Sequence, residues 1–129
     1  MKLAIVGVTG VVGREMLEVL SERKFPFTEF IPVASEKSCG KEISLDGKNY
    51  EIISLTKLLE RDIDLAFFSA GREISKTWAP KLAAKGVKVI DSSSYWRMCS
   101  KNKLIVPEIN GAGLSINDMI IANPNCSTI

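Results

Sequence analysis

The first thirteen residues constrain the fold more than any other stretch. Lys2-Leu3-Ala4-Ile5-Val6 is a short aliphatic run, and Gly7-Val8-Thr9-Gly10-Val11-Val12-Gly13 follows it at once. An apolar run of that length bounded by glycine predicts a strand buried on both faces. Beyond the glycines, Val12, Met16 and Leu20 recur every four residues while Arg14, Glu15, Glu18 and Glu22 take other faces. That spacing predicts an amphipathic helix ending near Arg23. Strand, glycine turn and helix in this order open a β-α-β unit, which commits the next strand to lie parallel to the first.

The alternation continues along the chain. Residues 30–34 and 64–68 are apolar runs that predict two further strands, and Pro32 predicts a bulge or an edge in the first of them. Residues 43–45 and 50–54 flank Asp46-Gly47, a two-residue hairpin signal, so a small peripheral antiparallel insert is expected. Ser69-Ala70-Gly71 reads as a turn into a second helix, in which Ile74, Trp78 and Leu82 keep four-residue spacing. Pro80 should kink that helix or mark a second start, and Gly86 should close it. Residues 87–90, 104–106 and 119–122 are short strand candidates, the first leading into polar Asp91-Ser92-Ser93-Ser94. The expectation is one α/β domain over residues 1–129: a doubly wound, mostly parallel sheet with helices on both faces and a small hairpin insert.

Composition excludes several classes. Of 129 residues 46% are hydrophobic and 25% charged, and 17 basic side chains stand against 15 acidic ones. A net charge of +2 spread along the chain argues against a nucleic-acid partner. No apolar run approaches membrane-spanning length and the start has no signal-peptide layout, so no membrane partner and a cytoplasmic location are expected. Cys39, Cys99 and Cys126 form no metal-ligand spacing, no metal is expected, and the three read as reduced thiols.

The glycine turn is a candidate phosphate cradle. Gly10 lets a backbone approach a phosphate, Gly13 lets helix and strand pack closely, and Thr9 offers a hydroxyl. The spacing is G-x-x-G-x-x-G rather than the commoner G-x-G-x-x-G, so an ordinary glycine-rich connection is the competing reading. At the end of the second strand, Lys37 with the hydroxyls of Ser35 and Ser38 would suit a ribose 2′-phosphate and so NADP. Glu36 would suit the free 2′-hydroxyl of NAD. Arg97 follows a strand end, and its fork suits a phosphate or carboxylate; an arginine stacked on Tyr95 or Trp96 is the alternative. Pro124 suits a helix start, which would put Cys126 among unpaired N–H groups that favour the nucleophilic thiolate. The chain holds no histidine to serve as a base, so it reads as the first domain of a two-domain enzyme, cut just after its nucleophile.

Together, Gly7 to Gly13, Phe68-Ser69-Ala70-Gly71, Asp91-Ser92-Ser93-Ser94-Tyr95-Trp96-Arg97, Val106-Pro107-Glu108-Ile109-Asn110 and Asn123-Pro124-Asn125-Cys126-Ser127-Thr128 resemble the aspartate-semialdehyde dehydrogenase family. The match runs through the whole chain in order. Its Pro-Asn-Cys-Ser-Thr segment differs from the Pro-Gly-Cys version of the related N-acetyl-glutamyl-phosphate reductases. The resemblance implies a Rossmann-like fold and NADP-dependent reductive dephosphorylation of L-4-aspartyl phosphate to L-aspartate 4-semialdehyde, in lysine, threonine and methionine biosynthesis. It implies that Cys126 forms an acyl-thioester beside Asn125, and that Arg97 holds the substrate phosphate or inorganic phosphate. It places Thr9, Gly10, Val11, Val12, Lys37, Ser38, Ser69, Ala70 and Gly71 against the cofactor. The acid/base histidine, the substrate-carboxylate arginine and the surface of a homodimer would belong to sequence after Ile129. The 129-residue piece alone is therefore expected to bind cofactor weakly and to show no turnover. The competing readings are the acyl-phosphate reductase of arginine synthesis and a non-catalytic dinucleotide-binding module.

Overall fold

The computed structural model describes residues 1–99 and 101–124. β1 (Lys2–Val6) is followed by α1 (Val11–Glu22), β2 (Glu29–Val33), the hairpin strands β3 (Glu42–Leu45) and β4 (Lys48–Glu51), and the short α2 (Leu55–Leu58). Then come β5 (Leu65–Phe68), α3 (Arg72–Ala84), β6 (Lys88–Asp91), β7 (Lys103–Leu104), α4 (Pro107–Asn110) and β8 (Ile120–Ala122). Six strands form one sheet in the order β2-β1-β5-β6-β8-β7, every pairing parallel, and β3 and β4 form a separate antiparallel pair. The order turns about β1: the chain first steps outward to β2, then crosses back to β5 and onward. This is the expected doubly wound arrangement, and its switch point lies between β1 and β5. No helix among the described residues is long and apolar enough to cross a membrane.

Strand alternation divides the core into two layers. Leu3 and Ile5 of β1 face Leu17 and Leu20 of α1 together with Phe30. Ala4 and Val6 face the other way, against Ala79 and Leu82 of α3 and Leu58 of α2. With apolar residues on both sides, β1 is fully buried at Leu3, Ala4 and Ile5, as its uninterrupted apolar sequence predicts.

Two details, in α1 and the hairpin, depart from the sequence expectation, and at two prolines the structure decides between the alternatives. The buried stripe of α1 is Gly13, Leu17 and Leu20 rather than Val12, Met16 and Leu20, because Gly13 has to face the strand. Of the two alternatives at Pro32 the edge holds and the bulge does not: β2 is the outermost strand of the sheet and stays in register with β1, so the missing donor is tolerated. α3 runs from Arg72 to Ala84 through Pro80, which therefore marks no second start. The hairpin is less peripheral than expected, since Leu45 and the adjacent Ile52 are buried with Phe30, packed against by Tyr50. Its turn fits the Asp-Gly signal, with φ of 53° at Asp46 and 80° at Gly47, the two left-handed positions of a type I′ turn.

Candidate functional site

Val33, Val6, Phe68, Asp91 and Ala122 are register partners across β2, β1, β5, β6 and β8. The residues that follow them, Ala34, Gly7, Ser69, Ser92 and Asn123, therefore form one row along the carboxyl edge of the sheet. Hydrogen bonds stitch the row together. Gly7 N–H donates to the Val33 carbonyl at 2.9 Å and Ser69 N–H to the Val6 carbonyl at 2.8 Å; Ser92 N–H reaches the Phe68 carbonyl at 3.0 Å and Asn123 N–H the Asp91 carbonyl at 2.8 Å. From Gly7 to Asn123 is three strand spacings, about 14 Å.

The first half of the row borders an open cleft of about 320 Å³ lined by Gly7, Thr9, Gly10, Ser35, Ser69 and Ala70, with Ala34, Leu55 and Ile74 on its apolar wall. Packing fixes the cradle. A Cβ on Gly7, whose φ is 90°, would lie 2.6 Å from the Ser69 carbonyl oxygen, and one on Gly13 would lie 2.8 Å from Val8 Cα. On Gly10 the nearest atom is 3.5 Å away, so its missing side chain is not explained by protein packing and leaves room on the cleft side. Gly10 caps α1 with no side chain, no acidic residue stands in the first turn, and Arg14 N–H is the first to reach back, to the Gly10 carbonyl at 3.0 Å. The N–H groups of Val11, Val12 and Gly13 therefore have no helical carbonyl to take them, and the positive end of the helix faces outward. This arrangement can accept an anion, and it lies at the strand-to-helix turn that dinucleotide folds use for a pyrophosphate.

The other expected cofactor residues are placed less uniformly. Gly71 caps α3 with φ 93°. Glu36, Lys37 and Ser38 form a single 3₁₀ turn beside the cleft, and Ser38 lines a neighbouring depression with Thr9, Arg14 and Lys41. The Val12 side chain faces away from the cleft, bordering an apolar depression with Met16, Val19 and Phe67, so only its backbone is available there. The sequence reading missed the apolar wall. Leu55 follows directly on the Ser54 cap of α2, and Ile74 of the α3 apolar spacing borders the cleft as well as packing on the core.

Arg97 occupies the second half of the row. Its Nη2 donates to the Ser92 carbonyl at 2.8 Å and its Nε to the Asn123 carbonyl at 2.9 Å. It does not take the stacking alternative. Arg72 lies over Tyr95 instead, 5.3 Å from the ring centroid, while Trp96 Nε1 donates to the buried Ser75 hydroxyl at 3.0 Å. Two of the five guanidinium N–H groups are thus held by carbonyls of described residues, and the group is fixed against the strand end from which the chain runs toward Cys126. Asn125 and Cys126 themselves lie outside the described residues. Cys39 and Cys99 are partly buried free thiols.

The family described as "Semialdehyde dehydrogenase, NAD binding domain" matches residues 2–116. Aspartate-semialdehyde dehydrogenase of Aquifex aeolicus (strain VF5) is 51% identical over 133 residues, covering 99% of this chain and 38% of the relative. The crystal structure of aspartate semialdehyde dehydrogenase II from Vibrio cholerae, complexed with ASA, superposes with a TM-score of 0.91 at 46% identity, covering 99% of this chain and 42% of that one. Aspartate semialdehyde dehydrogenase with NADP from Candida albicans shares the fold at 20% identity and a TM-score of 0.74, covering 98% of this chain and 43% of that one. The chain thus spans about two-fifths of the length of these proteins.

Proposed function

The chain belongs to the semialdehyde dehydrogenase family, by its NAD-binding domain, and from that premise we propose that it is the cofactor-binding part of an NADP-dependent, phosphorylating aspartate-semialdehyde dehydrogenase. The observation that carries the proposal is 51% identity to an enzyme of that name across 99% of the chain. The cradle of Gly7, Gly10 and Gly13 with its outward helix end fits a dinucleotide. Lys37 with the hydroxyls of Ser35 and Ser38 suits a ribose 2′-phosphate, and on that ground NADP is preferred to NAD. When bound, the nicotinamide supplies or accepts a hydride.

This chain's own residues do the rest. Cys126, as thiolate, attacks the acyl carbon of L-4-aspartyl phosphate; the carbon–oxygen bond to phosphate breaks and a thioester remains on the sulfur. Arg97 holds the departing phosphate, and in the reverse direction the incoming inorganic phosphate, with Asn125 beside it. Ser69 and Ala70, which line the cleft, and Gly71, which caps α3, would contact the cofactor. Further sequence would provide the acid/base histidine, the substrate-carboxylate arginine and a homodimer surface, consistent with the 38% share of the relative that is spanned. The reaction belongs to amino-acid biosynthesis in the cytoplasm.

The test uses the intact gene product. NADP-dependent oxidation of L-aspartate 4-semialdehyde should require inorganic phosphate, and Cys126→Ala should lower kcat at least about a thousandfold. Preference for the N-acetyl-glutamate semialdehyde would assign the chain to arginine synthesis instead. Cofactor binding without turnover of either substrate, with no selective alkylation of Cys126 at neutral pH, would make it a non-catalytic module.

A further inference from the structure

We propose that Asp91 is a positioning residue that sets the bearing of Arg97 on the anion at the reaction centre, an inference that rests on the function proposed above. Asp91 ends β6 and is fully buried, a depth from which a carboxylate is ordinarily excluded unless it is paired or hydrogen-bonded. No ion pair among the described residues involves it. Instead its oxygens are engaged by the turn that follows. Ser93 N–H donates to Oδ1 at 3.1 Å and the Ser93 hydroxyl to Oδ2 at 2.6 Å. That same hydroxyl accepts Tyr95 N–H at 3.3 Å.

The carboxylate thus dictates how the chain reverses after β6, and two residues beyond Tyr95 the turn delivers Arg97. A ring then closes. Arg97 donates to the Ser92 and Asn123 carbonyls, and Asn123 N–H donates back to the Asp91 carbonyl. An aliphatic side chain at this depth would satisfy the core without the cost of desolvating a charge. What it could not do is hold Ser93 at two points and so fix where the guanidinium begins. The buried carboxylate is explained by the residue its turn carries.

The experiment is kinetic and uses the intact gene product. Asp91→Ala and Ser93→Ala should each raise the KM for inorganic phosphate about tenfold, the scale of one lost hydrogen bond to a charged group, while the KM for NADP stays within about twofold. Ser93→Thr keeps the hydroxyl and should restore the phosphate KM. In an Arg97→Ala background neither substitution should add a further effect. An unchanged phosphate KM, a parallel rise in both KM values, or full additivity with Arg97→Ala overturns the proposal. Should Asp91→Ala not fold, the two Ser93 variants decide alone. Should the wild-type protein show no phosphate-dependent turnover, the functional reading fails separately. Proton exchange at Arg97 Nε, followed by ¹⁵N NMR, then decides the positioning claim: Ser93→Ala should accelerate it about tenfold if the turn holds Arg97, and equal rates overturn it.

Discussion

Gly13 and Gly10 belong to one turn, yet an added methyl group should harm each in a different way. A Cβ on Gly13 would fall on the Gly7 carbonyl oxygen and come within 2.8 Å of Val8 Cα. Both obstacles are backbone and neither can rotate aside. Gly13 lies in the first turns of α1, where alanine ordinarily gains about 1 kcal/mol in helix propensity. Overpacking against atoms that cannot yield costs about 3 kcal/mol or more. The clash wins, so Gly13→Ala should lose about 2 kcal/mol net, a fall in Tm of roughly 6–10 °C for a domain of this size. On Gly10, with φ −77°, the same methyl meets only the Gly7 carbonyl oxygen at 3.5 Å. Gly10→Ala should cost less than about 1 kcal/mol through its weaker capping, while weakening dinucleotide affinity about tenfold by crowding the pyrophosphate's approach to backbone N–H groups. Thermal and urea unfolding by circular dichroism give the stabilities, and a cofactor titration gives the affinities. A Gly13→Ala protein as stable as the wild type would refute the reasoning, since propensity would then outweigh the close approach of helix and strand.

Three further outcomes follow from other parts of the molecule. Lys24 ends α1 with φ 50° in a Schellman closure, Phe25 N–H donating to the Leu20 carbonyl at 3.0 Å; Lys24→Gly relieves the left-handed strain and should stabilise by about 1 kcal/mol in urea titrations. Trp96→Phe deprives the fully buried Ser75 hydroxyl of its indole donor and should cost about 1–2 kcal/mol, most of which Trp96→Phe combined with Ser75→Ala should recover. The Asp118 carboxyl is held below its ordinary value of 3.8, first by the Lys103 side chain and then by Ser115 N–H. A lowered carboxyl pKa contributes stability that is present above the unfolded value and lost as pH falls through the folded one. The protection of the Ser115 amide, its exchange rate relative to the unstructured peptide at the same pH, should therefore fall below about pH 4 and stay level above it, and Asp118→Asn should abolish that dependence.

Local rules made most of the frame legible. β1 declares itself because the four successive apolar residues Leu3 to Val6 have no polar face to expose, the hairpin because Asp46-Gly47 supplies two left-handed positions, and the end of α3 because Gly86 closes it at φ 87°. What escaped was set by distant neighbours. The inward face of α1 is turned toward Gly13 and Leu17, keeping Leu20, because Gly13 has to meet the backbone of Gly7 and Val8, which no periodicity count contains. α2 is only four residues long, too short to leave a periodic signal. At the site, the cradle was readable from its glycines, whereas the partners of Arg97 were not. One of its carbonyls belongs to Asn123, 26 residues later, and comes into reach only through the parallel pairing of β6 with β8.

Pro32 has a consequence for how copies of this chain meet. Its carbonyl accepts Ile53 N–H at 3.0 Å on the side away from β1, and Ala34 N–H donates to the Ile53 carbonyl at 3.2 Å. The proline has no proton to offer on that side, and one bridging residue occupies the groups around it. A foreign strand seeking to extend the sheet past β2 would find the rung at Pro32 already taken or lacking its proton. At that end of the border a single imino acid and one borrowed isoleucine interrupt the ladder that amyloid-like stacking would need.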